Sequence, residues 1–205
     1  MRSRRITVLH SLKPAFLLLS LLGLALLAPA PAAAQRGAIT VPRNLNQLTE
    51  RAGIIVRGTV TSAKVERHPD LGGRTVVVTL QVKKALKGQT GDTFTFRQYI
   101  WDIRDRYDAA GYRKGDELML ILLTPNRYGL TSPVGMEQGR FRILRNRAGK
   151  EVAVNGVGNA RLFQGMEPEA QPEGVSPQLT KMLQEKRAGP VPVSDLELLI
   201  SASNK

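Results

Sequence analysis

The sequence predicts a mainly β fold: a closed barrel of five or six strands, with a short N-terminal helix and one or two C-terminal helices. Three observations carry this expectation. Residues 75–86 (TVVVTLQVKKAL) alternate apolar and polar side chains, the period of a strand with one buried face. Further short apolar runs recur between Gly, Pro, Asn and Asp turns, the spacing of a sandwich or barrel. The 205-residue chain has no cysteine, so burial rather than disulfides must hold it together.

The elements follow in chain order. Arg2, Arg4, Arg5 and Lys13 form a positive start without an acid, and residues 15–28 are apolar. Pro29 and Pro31 then break the run before Ala32-Ala33-Ala34. This is the order of a cleavable signal peptide. Residues 1–34 are therefore expected to be removed near Ala34, leaving the protein periplasmic or extracellular. Fourteen apolar residues are too few to span a bilayer, which takes about 20, so membrane attachment is expected only if this leader is retained. Ser3-Arg4-Arg5 also fits a twin-arginine leader, although the leucine-rich core suits the general secretory route. Removing the leader's four basic residues from the total of +13 leaves +9 on the remainder.

Residues 35–43 are expected as a flexible lead-in. Asn44 and Gln47 then fit a capping box ahead of a helix over 45–52, with Leu45, Leu48 and Ala52 on one face. Strands are expected over 54–63, 75–86 and 93–98, the last with Phe94 and Phe96 inward. Residues 117–123 (ELMLILL) are apolar throughout, as in a central strand buried on both faces. Three short strands follow over 128–131, 139–145 and 150–154, the last two joined by the turn Asn146-Arg147-Ala148-Gly149. The barrel domain is thus expected over 44–160, and a linker with C-terminal helices over 161–205. Ser176-Pro177 starts the first of these helices. Ser194 and Glu197 suggest a second capping box, ahead of a helix over 195–202.

Four segments together carry a resemblance: residues 52–60 (AGIIVRGTV), 82–88 (VKKALKG), 115–120 (GDELML) and 138–143 (QGRFRI). In this order they resemble a group of exported bacterial proteins of unknown function. The order is also similar to that in netrin-like modules and tissue inhibitors of metalloproteinases. The resemblance spans about residues 45–155 and implies an OB-like barrel. Those inhibitors reach a target's zinc through an N-terminal cysteine. This chain has no cysteine, so the resemblance implies the fold and not that mechanism.

Candidate chemistry is sparse. His68 is the sole histidine after the leader, and it lies in a Pro/Gly loop, where an exposed side chain is expected. Asp102, Asp105 and Asp108 are interleaved with Arg104 and Arg106 and do not match a calcium loop. No catalytic residue, metal site or cofactor is expected. The richest segment interleaves Tyr99, Trp101, Tyr107 and Tyr112 with Arg104, Arg106, Arg113 and Lys114. Aromatic faces beside cations hold flexible anionic or sugar ligands, and equally plug the end of a barrel. Arg140 and Arg142 share one strand face and extend the basic surface. The ligand-binding residues expected are therefore Tyr99, Trp101, Arg104, Arg106, Tyr107, Tyr112, Arg113, Arg140 and Arg142. The basic charge outside the cytoplasm points to an anionic envelope polymer or an envelope protein. Nucleic acid is not expected there. The expected function is an exported, non-catalytic binding module; the alternative is an inhibitor or structural partner of an envelope enzyme.

Overall fold

A computed structural model describes residues 40–168 and 171–204. The leader and most of the lead-in lie outside these residues. The first described element, helix α1 (Leu45–Arg51), begins with the expected capping box: Asn44 Oδ1 accepts from Gln47 N, and Gln47 Oε1 accepts from Asn44 N. Leu45 and Leu48 are its buried anchors.

The strands are β1 (Ile54–Arg67), β2 (Arg74–Lys87), β3 (Thr93–Tyr99), β4 (Glu117–Leu122), β5 (Arg140–Arg145), β6 (Glu151–Asn155) and β7 (Val191–Pro192). They form one sheet in the order β3-β2-β1-β4-β5-β6-β7, with every neighbouring pair antiparallel. Strands β1 and β2 make a long hairpin that coils at three register shifts. Gly58 sits at one of them. A Cβ there would lie 2.5 Å from the Gln81 carbonyl oxygen, so only glycine lets the two backbones approach.

Strand β4 is buried on both faces, as its unbroken apolar run predicts. Met119 and Ile121 face one core with Phe141, Leu162 and Phe163. Leu118, Leu120 and Leu122 face a second core with Val78, Phe96 and Tyr112. The helices α1, α2 (Pro177–Gln184) and α3 (Val193–Ser203) all contribute to the first core. The second is closed by the segment between β3 and β4, through Ala110 and Tyr112.

The sheet is open, in place of the expected closed barrel. Strands β5, β6 and β7 carry it on beyond β4, leaving β3 and β7 as edges. Closure of the β1–β4 portion would have to run through the chain between β4 and β5. That stretch carries Pro125 and Pro133, which lack the N–H a ladder needs. It makes only single bridges, Leu130 to Arg97 and Pro133 to Leu122. The strand expected over 128–131 is accordingly a turn. Asn126 Oδ1 accepts from the Tyr128 and Leu130 amides, and Gly129 takes a positive φ of 70°.

The C-terminal part also differs in detail. Ser176 caps α2 as expected, with Pro177 at the first helical position. Helix α3 starts at Val193, and its N-cap is Pro192 with no side-chain cap. Glu197 does not close a capping box, because Arg57 and Lys84 hold its carboxylate. In the expected linker, Leu162, Phe163 and Met166 are buried core residues.

Candidate functional site

The segment leaving β3 carries the exposed aromatics. Tyr99 and Trp101 make an edge-to-face pair, with ring centroids 5.1 Å apart. Tyr99 is 40% exposed and Trp101 68%. Tyr99 is set by the sheet, where it pairs with Thr75. Its ring packs on Gly73, 3.3 Å from where a Cβ would stand.

After Trp101 the chain makes two 3₁₀ turns, Ile103–Arg106 and Ala109–Gly111. Asp102 caps the first by accepting from the Arg104 amide, and it also pairs with the Arg104 guanidinium. That hydrogen-bonded pairing raises the Arg104 pKa above its usual value. Ile103 and Tyr107 project outward, 62% and 87% exposed. Arg104, Arg106, Arg113 and Lys114 are exposed as well.

Tyr99 and Trp101 form one wall of a groove of ≈ 450 Å³, within the size range of small-ligand clefts. The turn after β4 supplies the other wall, through Leu123, Thr124, Asn126, Leu130, Thr131 and Ser132. None of these lining residues is charged. Cations stand outside it: Arg104 is close to Trp101 in sequence, and Arg127 lies over the Tyr128 ring at 4.7 Å.

Two of the expected ligand residues are buried instead. Tyr112 is 3% exposed. Its hydroxyl donates to Gln98 Oε1 at 2.9 Å, and its ring meets Phe96 edge-on. Arg140 lies over the same ring, 4.8 Å from its centroid. Arg140 also donates to the Ala110 carbonyl at 2.7 Å and pairs with Glu137. Burial pushes the Tyr112 hydroxyl up to about 12. Burial opposes the charge on Arg140, but Tyr112 and Glu137 outweigh it and raise the Arg140 pKa. The space between Trp101 and this pair is only ≈ 20 Å³, room for about one water molecule. Arg142 is exposed on the same strand face, so burial of Arg140 breaks the expected basic stripe.

His68 is also buried, 2% exposed, where an exposed loop histidine was expected. Its Nδ1 accepts from the Asp70 and Leu71 amides, each at 3.2 Å. Its Nε2 must then carry the proton, and it donates to the Tyr128 carbonyl at 3.0 Å. The histidine thus ties the β1–β2 turn to the loop that walls the groove.

A third cluster lies on the first-core face. Arg57 pairs with Glu117, Glu151 and Glu197, while Lys83 pairs with Glu117 and Lys84 with Glu197. Burial tends to raise the Glu117 pKa. Lys83 and Arg57 outweigh it and hold the carboxyl below its usual range. Each acid is matched by a cation, which makes this a clasp between β1, β2, β4, β6 and α3.

Sequence reasoning identified Tyr99 and Trp101 but missed the opposite wall. Pro125-Asn126 and Pro133 mark a turn there, but nothing local says that it faces Trp101. Among the described residues, no group of three His, Cys, Asp or Glu side chains is placed to hold a metal ion. Nor is any described helix long and apolar enough to cross a membrane. No protein-family model matches the chain, and no curated protein matches it significantly.

Proposed function

We propose that this chain is an exported, non-catalytic binding module that engages an anionic polymer of the cell envelope. The observation that carries the reading is the pair Tyr99 and Trp101, held open on one wall of a preformed groove. A Trp that served only the core would be covered; two-thirds of this one faces solvent. The surplus of basic residues over acidic ones supplies long-range attraction to a polyanion. Arg104, Arg106, Arg113 and Arg142 are exposed cations, as is Arg127 next to Asn126. Asp102 caps its own turn and holds Arg104. The OB-like and netrin-like resemblance over about residues 45–155 belongs to this proposal as a likeness in the order of sequence segments, not as a mechanism.

The test is capture from an envelope extract on the immobilised chain, eluted with a salt gradient. Polymer that leaves steadily as salt rises supports the reading, because counterion release and screening weaken such contacts. No retained polymer at low salt overturns it.

One observation favours a second reading, in which the chain docks on an envelope protein as inhibitor or structural partner. Trp101, Ile103 and Tyr107 form an exposed apolar set within seven residues, the type of surface that protein interfaces bury. A single protein retained through high salt would favour this reading over the first.

A further inference from the structure

We infer that the groove between Tyr99–Trp101 and residues 123–132 is a saccharide subsite, which stacks one sugar ring of an acidic glycan on Trp101. This rests on the polymer-binding reading above and narrows it to a class of polymer.

The argument begins with the lining. Its eight residues carry two aromatic rings, two leucines and four hydroxyl- or amide-bearing side chains, with no charge. A site for a bare polyanion would place cations inside. A site for a purely apolar segment would not surround it with Thr124, Asn126 and Ser132. Pyranose rings present a C–H face and a rim of hydroxyls, so they need both an aromatic surface and hydrogen-bonding groups.

Those polar groups are available. Asn126 commits its Oδ1 to two backbone amides, which fixes the side chain, while its Nδ2 donates to no described residue. The hydroxyls of Thr124 and Ser132 make no hydrogen bond to any described residue. Thr131 differs, since its hydroxyl donates to the Leu123 carbonyl at 2.6 Å and braces the wall. The aromatic wall is equally fixed. The edge-to-face contact at 5.1 Å holds the Trp101 ring against Tyr99, so little side-chain freedom is lost on binding. His68 steadies the far wall through the Tyr128 carbonyl.

Charge complementarity selects the acidic class. The lining is neutral, and a cation stands next to it in the chain: Arg127 follows the lining residue Asn126 and lies 4.7 Å over the Tyr128 ring. A glycan whose ring faces are apolar and whose carboxylates project from the chain matches that arrangement.

The test compares two polymers with the same charged group. Oligogalacturonate carries carboxylates on sugar rings; polyglutamate carries them on a peptide. The full chain is titrated with each, following fluorescence of its single tryptophan, at low and at high salt. The expected result is a Trp101 spectral shift with oligogalacturonate that persists at high salt. Polyglutamate binds only at low salt and leaves the spectrum unchanged. Trp101→Ala and Ser132→Ala, checked by calorimetry because the first removes the probe, each weaken oligogalacturonate by about fivefold or more and leave polyglutamate unchanged. Equal, fully salt-sensitive binding of both polymers, with no spectral shift, overturns the saccharide subsite and leaves the polyanion reading standing. Binding of neither polymer overturns both. A shift with polyglutamate alone overturns the saccharide assignment in favour of a peptide groove.

Discussion

The Arg140 guanidinium lies 4.8 Å over the Tyr112 ring, and the two are buried together. Two residues that a sequence reading sends to a ligand surface thus form the floor of the segment that carries Trp101. Arg140 reaches up to the Ala110 carbonyl, where Ala109, Ala110 and Gly111 all take positive φ. Left-handed backbone at two alanines is strained, by roughly 1 kcal/mol or more each, and Arg140 is the side chain seen to hold it.

Tyr112 should therefore titrate late. Its hydroxyl is pushed up to about 12 by burial, so the folded state holds this proton more tightly than the unfolded state. The resulting stability is full below pH 10 and is lost as pH rises through about 12. Tyrosinate absorbance should show a late group that disappears in Tyr112→Phe. Absence of that late group from the folded protein would contradict the buried placement.

Removing Arg140 should loosen the binding segment more than the sheet. Arg140→Ala leaves Glu137 and the Ala110 carbonyl without their donor, at a cost of about 3 kcal/mol. Amide exchange should accelerate over residues 100–112 while β1 and β2 stay protected. Uniform loss of protection across the whole sheet would argue against a local role.

The Arg57 clasp predicts an acid limit on stability. Glu117 is held below its ordinary value of 4.5 by Lys83 and Arg57, against the effect of its burial. A depressed folded-state value means stability that is present above pH 4.5 and is lost as pH falls through the lower folded value. Glu117→Gln should cost roughly 2 kcal/mol at neutral pH and flatten the acid side of the stability profile. An unchanged acid profile would remove Glu117 from this role.

His68→Ala should unfasten the groove wall. The substitution frees the Tyr128 carbonyl and two amides of the β1–β2 turn, for a loss of about 2 kcal/mol. Exchange at Asp70 and Leu71 should rise, and oligogalacturonate affinity should fall although His68 does not line the groove. Affinity equal to wild type would show that the wall does not depend on this tie.

Trp101→Ala, by contrast, should leave thermal stability within about 0.5 kcal/mol, the range of ordinary surface changes. A drop of several kcal/mol would mean that Trp101 is a core residue in solution and would remove the groove's aromatic wall.

Much of the fold was legible because it rests on local signals. The capping box of Asn44 and Gln47 is a matter of four adjacent residues. The alternation in β2 and the unbroken run in β4 report burial on one face and on two. The same reasoning failed where local patterns compete with distant partners. Ser194 and Glu197 have capping-box spacing, yet Arg57, 140 residues away, takes the Glu197 carboxylate. His68 looks like a loop histidine until the Tyr128 carbonyl, 60 residues on, meets its ring.

The β class, most element boundaries, the two-faced burial of β4, the basic charge and the aromatic character of residues 99–112 are legible in the residues alone. These follow from residue type and period, which the chain carries wherever it goes. The open sheet, the inward turn of Tyr112 and Arg140, and the placing of the Asn126 turn in the groove of Trp101 come from packing across the fold. Those depend on which segments meet across the sheet, and register between distant strands is set by packing that no local pattern encodes.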